Sequence, residues 1–210
     1  MSIDSIFIEF VHKLYELAGP FFTPLFRIIS ILGEKCWFFL LIAFYLVLRK
    51  KTRWIGLTAI LAVFIGFIFA DILLKPTIMR ERPYLASVVF QKYWELVGSY
   101  KETGYSMPSG HCIGITAFFV SLYITVPKNN RKTISSIGFV SVICMVLSRC
   151  YFMHHYFSDC IVGIIIGAVV SYLSKALVRL IHMFCKKMED ITLFNFILNF
   201  DIDSQKKDIA

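Results

Sequence analysis

Five long apolar runs, separated by short polar segments, most constrain how this chain can fold. The runs cover residues 36–48, 54–74, 109–126, 134–152 and 160–182. An α-helix needs about 20 apolar residues to cross the hydrocarbon core of a bilayer, and the second and fifth runs have about this length. Because lipid offers the backbone no hydrogen-bond partner, all five runs are expected to be helical. The sequence therefore predicts an all-α, polytopic transmembrane bundle of five to six helices.

The composition supports a membrane protein and argues against a nucleic-acid partner. Hydrophobic residues make up 58% of the 210 residues, and the mean hydropathy is +0.71. A soluble domain of this size could not bury so much apolar surface in one core. The formal net charge is +8, but the basic residues stand mostly between apolar runs and near the C-terminal end, as in membrane-flanking segments. The bilayer is the expected partner, and no obligate protein partner is inferred.

The N-terminal region is expected to lie partly in the membrane interface. Residues 3–18 carry apolar side chains at helical spacing, interleaved with charged ones, which is typical of an amphipathic interfacial helix. Gly19 and Pro20 should end it, and residues 21–33 form a second apolar stretch whose crossing of the membrane stays open. No cleavable signal peptide is predicted. Three regions follow: residues 1–33, a transmembrane core at 34–188 and a cytoplasmic tail at 189–210.

The positions of basic residues predict the orientation in the membrane. The residues that should face the cytoplasm are Arg49, Lys50, Lys51, Arg53, Lys128, Arg131, Lys132, Lys186 and Lys187. By the positive-inside rule, segments 75–108 and 149–159 then face the extracytoplasmic side of a plasma membrane. Segment 75–108 also contains several cations, which weakens the asymmetry unless some of them have a functional role.

Three polar clusters interrupt the apolar pattern at the ends of predicted spans. They cover residues 75–83, 108–111 and 148–159. The first cluster ends the second span, the second begins the third span, and the third joins the fourth and fifth. An even number of crossings separates each pair of clusters, so all three are expected at one membrane face.

The clusters contain the elements of an anion site. Lys75, Arg82 and Arg149 stand at the ends of apolar helices, where a cation costs about 3 kcal/mol on insertion scales unless it has a partner. A bound phosphate would supply the missing negative charge. Ser109 and Gly110 begin a helix, whose free N–H groups attract anions. The alternative for Ser109 is an ordinary helix cap.

Two histidines and a carboxylate could supply the chemistry. His155 and Asp159 are four residues apart, which on a helix places them on one face, where the carboxylate would fix the imidazole tautomer. His155 could then attack phosphorus while His111 protonates the leaving oxygen. His154 should point about 100° away on the same helix. The alternative for an isolated interfacial histidine is a polar group at the headgroup level.

At these residues the sequence resembles the type 2 phosphatidic acid phosphatase superfamily, which includes lipid phosphatases and vanadium haloperoxidases. Its motifs K-x6-R-P, P-S-G-H and S-R-x5-H-x3-D match Lys75 with Arg82-Pro83, then Pro108–His111, then Ser148-Arg149 with His155 and Asp159. The resemblance covers residues 54–182. It implies that His155 is the nucleophile, that Asp159 orients it and that His111 is the general acid. The phosphate would be held by Lys75, Arg82, Ser109, Gly110 and Arg149, with no metal and no cofactor.

The expected function is therefore hydrolysis of a lipid phosphate or diphosphate through a phosphohistidine. Undecaprenyl diphosphate is the first substrate expected, with phosphatidylglycerol phosphate or phosphatidic acid as alternatives. A non-catalytic anion-binding transporter or scaffold is the alternative from another class, and a haloperoxidase is disfavoured by the spans. Asp71 and Lys75 have the spacing of an ion pair within one helix. Whether Cys150 and Cys160 form a disulfide is left open.

Overall fold

Four helical segments, two of which contain several helices, are long and apolar enough to cross a membrane in the structure, a computed structural model that describes residues 2–205. They cover Ile3–Leu48, Arg53–Ala86, Lys128–Tyr151 and Phe157–Lys187, and a fifth, shorter apolar helix covers Gly110–Thr125. The residues that the structure describes contain no β-strand. The predicted all-α transmembrane bundle is confirmed.

The helices differ from the apolar runs mainly at their ends. They are α1 (Ile3–Gly33), α2 (Trp37–Leu48), α3 (Arg53–Phe67), α4 (Lys75–Ile78), α5 (Pro83–Ala86), α6 (Val88–Leu96), α7 (Gly110–Thr125), α8 (Lys128–Tyr151), α9 (Phe157–Lys187), α10 (Thr192–Asn199) and α11 (Ile202–Gln205). A 3₁₀ turn at Glu34–Cys36 precedes α2, and a π-helical segment at Ile68–Leu74 joins α3 to α4. Helices α8 and α9 extend beyond the apolar runs because polar residues at helix ends reach the headgroups.

Helix α1 is two helical pieces joined at a kink. Ala18 has non-helical dihedrals (φ −157°, ψ 53°), and Pro20 and Pro24 follow within the helix. Proline removes a helical hydrogen bond and crowds the preceding turn, which explains the break predicted at Gly19-Pro20. The first piece is amphipathic, since Ile8 and Val11 are buried while neighbouring apolar side chains stay exposed.

Helix α7 is the centre of the bundle and packs against α3, α8 and α9, while α1 lies against α8. The contact between α7 and α9 is close because α9 presents glycines. A Cβ on Gly163 would stand 2.8 Å from the Ser109 carbonyl oxygen, and one on Gly167 would stand 2.6 Å from that of Ile113. Small residues four apart let two helices approach each other in lipid. This approach brings the N-terminal ends of α7 and α9 side by side.

The opposite end of the bundle, which we call the Arg53 end, is closed by the C-terminal segment. The Arg53 guanidinium donates to the carbonyl oxygens of Val47 (3.0 Å) and Ile197 (2.6 Å), and also to that of Phe200. Arg49 pairs with Asp203 at 2.7 Å. The tail was expected to lie on the interface or fray; its described part forms α10 and α11, and residues 206–210 lie outside the described residues.

The six cysteines, all within the described part of the chain, carry free thiols. Cys150 and Cys160 are both buried, so the open question of a disulfide is answered by two reduced side chains in the core. Asp71 and Lys75 form the helical ion pair that their spacing indicated, with 2.8 Å between Oδ1 and Nζ.

Candidate active site

The three polar clusters meet at the end of the bundle opposite Arg53, which we call the His155 end. A cavity of about 350 Å³ lies there, and five of the predicted site residues line it: Lys75, Arg82, Gly110, His111 and His155. The other three, Ser109, Arg149 and Asp159, are fully buried behind its wall. The structure therefore brings together residues that are up to 84 positions apart in the chain.

His155 is held in one orientation by a backbone carbonyl. Its Nδ1 lies 2.6 Å from the Ser106 carbonyl oxygen, which can only accept, so Nδ1 carries the proton in this geometry. Ser106 is itself fixed, because its N–H donates to the Arg80 carbonyl oxygen at 2.8 Å. The second ring nitrogen, Nε2, keeps its lone pair and lies 3.5 Å from Nη1 of Arg82. A buried, neutral imidazole with a free Nε2 is suited to nucleophilic attack.

Asp159 does not orient His155 in the way that the spacing predicted. His155 lies outside any helix, in the turn between α8 and α9, because α9 begins only at Phe157. The expectation that the two residues share a helical face is therefore wrong, and Asp159 Oδ2 lies 3.8 Å from His155 Nδ1. The carboxylate instead accepts the N–H of Tyr156 at 2.9 Å. It thereby caps α9, directly after the turn that carries the imidazole.

The same correction applies to His154, which was expected to point away from the site. Met153 has a φ of 56°, so the chain leaves the helical path before the two histidines. His154 is buried, and its Nδ1 lies 2.7 Å from Nη2 of Arg149 while its Nε2 lies 2.7 Å from the Tyr100 carbonyl oxygen. His154 therefore belongs to the wall behind the cavity.

Arg80 is a residue that the sequence analysis missed. Its Nη1 donates to Asp159 Oδ1 at 2.5 Å, its Nη2 donates to Asp4 Oδ2 at 2.8 Å, and its guanidinium lies over the Tyr156 ring at 3.9 Å. Asp4 also accepts the N–H of Ser158 at 2.8 Å. Helix α1 is thereby tied to the N-terminal end of α9. The signal was present, since Arg80 stands in the first polar cluster, but nothing in the sequence showed that Asp4 returns to it.

Arg82 connects two loops that surround the cavity. Its Nε and Nη2 donate to the carbonyl oxygens of Gly104 (3.0 Å) and Thr103 (2.9 Å), and its Nη1 donates to that of His154 (2.9 Å). Most of the N–H groups of this guanidinium are therefore used by fixed backbone oxygens. Nη1 also lies 3.0 Å from Oε2 of Glu102.

Arg149 lies deeper, at the end of α8, and is fully buried. Its Nη1 donates to the Ser30 hydroxyl at 2.5 Å, and its Nη2 donates to Glu102 Oε1. Its Nε has no hydrogen-bond partner within the described residues. A buried guanidinium needs a counter-charge, and in this structure Glu102 provides it.

Glu102 is the second residue that sequence reasoning missed. Its two carboxylate oxygens bridge Arg82 and Arg149, and they also lie 3.5 Å from His154 Nδ1 and 3.9 Å from His155 Nε2. Burial raises the pKa of Glu102, but the positive charge of Arg149 and the nearby imidazoles lower it, and the net pKa is far below the ordinary value. Glu102 is therefore an anion at the centre of the predicted phosphate cradle.

The N-terminal end of α7 is open to the cavity. Ser109 occupies the cap position, yet its side chain makes no capping hydrogen bond within residues 2–205. The ordinary helix-cap alternative for this serine is thus not what the structure shows. Gly110 and His111 form the first turn, where N–H groups have no partner inside the helix, and both residues line the cavity.

Burial keeps both loop histidines neutral. Desolvation lowers the pKa of His155 to about 4; contact with Asp159 raises it in part, and the charges of Arg82 and Arg149 lower it again. Desolvation, followed by the charge of Arg149, lowers the pKa of His154 to about 3. At neutral pH, the lone pair on His155 is therefore available.

The fold and the site together define an integral membrane protein that gathers arginines, a helix N-terminus and a neutral histidine around one cavity. The chain belongs to the PAP2 superfamily, whose family model matches residues 51–182.

Two known proteins are similar to this chain, one in sequence and one in fold. It is 30% identical over 129 residues to an undecaprenyl-diphosphatase of Sulfolobus acidocaldarius, which covers 61% of this chain and 58% of that protein. The chain thus matches somewhat under two thirds of that relative's length. Its fold is similar to the crystal structure of a transmembrane PAP2-type phosphatidylglycerolphosphate phosphatase from Bacillus subtilis, with a TM-score of 0.63, 21% identity, and coverage of 84% of this chain and 87% of that one.

Proposed function

We propose that this protein is a membrane phosphatase that removes a phosphoryl group from a lipid through a phosphohistidine at His155. One observation carries the proposal: Nδ1 of His155 is fixed by the Ser106 carbonyl oxygen, which leaves Nε2 unprotonated, 3.5 Å from Nη1 of Arg82, in a cavity rich in cations. Membership of the PAP2 superfamily supports the same chemistry.

The reaction has two steps that need only groups around the cavity. The lone pair of His155 Nε2 forms an N–P bond while the P–O bond to the lipid breaks, and His111 gives a proton to the departing oxygen. Water then attacks phosphorus, His111 takes up a proton from it, and the N–P bond breaks to release phosphate. His111 suits this role because it lines the same cavity as His155.

Stabilisation of the transition state is assigned to fixed positive groups, and we propose that no metal is needed. Lys75, Arg82 and Arg149 supply charge, while Gly110 and its neighbours supply backbone N–H groups at the start of α7. Such preorganised donors usually make the largest single contribution to catalysis. Undiminished activity in EDTA and inhibition by vanadate are expected; activity that EDTA abolishes and a divalent ion restores would contradict this part.

Undecaprenyl diphosphate is the proposed substrate, because the relative from Sulfolobus acidocaldarius is named for that activity. Phosphatidylglycerol phosphate is a second candidate on the likeness of fold to the Bacillus subtilis protein, and phosphatidic acid is a third. The active site is proposed to face the extracytoplasmic side of the plasma membrane. The basic Arg53 end, which lies opposite the site, supports this orientation.

The test is phosphate release by the detergent-purified full chain from a panel of these three lipids in mixed micelles. His155→Ala should abolish activity, and a phosphoenzyme should form on wild type and be absent from the variant. His182→Ala is the matched control, since this histidine stacks on Trp54 away from the cavity, with 4.3 Å between ring centroids. Release at the level of His155→Ala for wild type on every lipid would favour the alternative of a non-catalytic anion-binding transporter or scaffold.

A further inference from the structure

Glu102 makes the contacts that a phosphoryl group would be expected to make. One carboxylate oxygen lies 3.0 Å from Arg82 Nη1, and the other accepts from Arg149 Nη2. The other hydrogen bonds of the two guanidiniums go to backbone oxygens, to Ser30, to His154 and, at 3.5 Å, to Nε2 of His155. Nε of Arg149 has no partner among the described residues. A bound phosphate needs the N–H groups that point to the cavity, and Glu102 already occupies them. The carboxylate and a phosphate cannot both take this place.

Glu102 also lies between two cavities, which agrees with its displacement by a bound phosphate. Glu102 lines the cavity of about 350 Å³ that His155 also lines. It lines a second cavity of about 180 Å³ as well, together with Arg27 and His154. Moving this side chain out would enlarge the space beside His155.

The segment that carries Glu102 is irregular and contains two glycines in the left-handed region. Residues 97–109 form no helix, and Gly98 and Gly104 on either side have φ values of +111° and +74°, where only glycine is unstrained. A Cβ on Gly104 would have no atom within 4 Å, so the chain there is not packed against its surroundings. The Glu102 side chain itself remains 26% exposed despite its buried partners.

We propose that Glu102 is an internal substitute for the phosphoryl group, which fills the arginine cradle of the empty site and must be displaced by substrate. The inference rests on the proposed function, because it takes Arg82 and Arg149 as the phosphate cradle. A ligand gains by displacement only if it offers more negative charge than one carboxylate. A terminal phosphate carries about 1.5 to 2 charges at pH 7, whereas a phosphodiester carries one.

Glu102 would therefore determine specificity. Phosphodiester headgroups make up most of the lipid around the protein, and each would have to exchange one negative charge for another. Terminal phosphates, which carry more negative charge, would displace the carboxylate. The carboxylate would also weaken the binding of the phosphate product, since it returns to the same N–H groups.

The experiment measures binding of inorganic phosphate and of dimethyl phosphate to the detergent-purified full chain by isothermal titration calorimetry. Glu102→Gln should bind inorganic phosphate about tenfold more tightly than wild type, the gain expected if the wild-type cradle is vacant one tenth of the time. Dimethyl phosphate should bind measurably only to the variant. Glu34→Gln is the matched control, because Glu34 lines both cavities but has no ion pair among the described residues; its affinities should stay within about twofold of wild type.

Unchanged or weaker phosphate binding by Glu102→Gln, or equal tightening by Glu34→Gln, would overturn the inference. If Glu102→Gln does not fold, hydrogen exchange on wild type decides. Saturating phosphate should speed exchange at residues 97–109, and slower or unchanged exchange there would count against displacement. Both readouts work without turnover, so tighter binding in an inactive protein would reject only the proposed function. Lipid phosphate hydrolysis without tighter binding would reject only the role of Glu102.

Discussion

The two ends of the bundle both bury arginines, but they balance the charge differently. At the Arg53 end, the guanidinium is 6% exposed and donates to backbone carbonyl oxygens from α2 and the C-terminal segment. At the His155 end, Arg82 and Arg149 are 2% and 0% exposed; Arg82 also donates to backbone oxygens, but both arginines share the carboxylate of Glu102. Backbone oxygens are fixed by the fold, whereas a side-chain carboxylate on a glycine-flanked loop can be exchanged for another anion. Burial of arginine alone thus does not distinguish a structural site from a binding site; an exchangeable carboxylate among the acceptors does.

The largest expected effect is a difference in kcat/KM between lysine variants of the arginines at the two ends. Arg149→Lys should lower kcat/KM about 10²-fold or more, because lysine keeps the charge but loses the planar fork that reaches two acceptors. Arg53→Lys should lower thermal stability and leave kcat/KM within about threefold. Phosphate release and thermal unfolding of both variants check this. Equal losses of activity at the two ends would break the comparison.

A second prediction concerns Arg80, which does not line the cavity yet holds Asp159 and Asp4. Arg80→Met should lower kcat about 10- to 100-fold with little change in KM, because the turn that carries His155 loses its support. Lys92→Met, at an exposed cation in the same outer segment, is the control and should behave as wild type. A rise in KM with unchanged kcat would place Arg80 in substrate binding instead.

The buried neutral histidines predict how stability depends on pH. The pKa of His155 is lowered to about 4 and that of His154 to about 3, from an ordinary value of 6.5 in the unfolded chain. Between pH 6.5 and about 4, the unfolded chain binds protons that the folded chain does not, so stability is complete above 6.5 and falls as the pH is lowered. Thermal unfolding from pH 7.5 to 4.5 should show this, with a shallower fall for His155→Ala than for His182→Ala. Equal slopes for these two variants would contradict it.

The smallest effect is expected for the surface pair at the Arg53 end. Arg49 and Asp203 are 39% and 43% exposed, and ion pairs between exposed side chains contribute little to stability. Arg49→Met should change the unfolding temperature by only a degree or two, with no change in phosphate release. A large loss of stability would show that the Arg53 end, like the His155 end, depends on an ion pair between side chains, which contradicts the comparison.

The sequence predicted the architecture because its physical cause is local. A run of apolar residues in lipid can only be a helix, so the order of α2, α3, α7, α8 and α9 followed from hydropathy. The placement of the three clusters at one end followed from the number of crossings between them. The roles assigned to His155, His111 and the phosphate-binding residues remain predictions.

What the sequence did not predict depends on contacts between distant segments. Glu102 stands in a segment without periodicity, and only the tertiary structure brings it between two arginines. Asp4 and Arg80 pair across 76 positions. The i, i+4 spacing of His155 and Asp159 suggested a shared helix, but α8 must reverse direction before α9 can cross back. The left-handed residue Met153 makes that turn and takes His155 off the helix.

The attachment of Asp4 to Arg80 and Ser158 bears on how the protein should be handled. These contacts lie in the first turn of α1, so a purification tag or fusion partner joined at the amino end would sit next to the support of the His155 turn. Such a preparation would show reduced turnover for reasons unrelated to the chemistry. The last described residues, such as Asp203, lie at the Arg53 end of the bundle, away from this support.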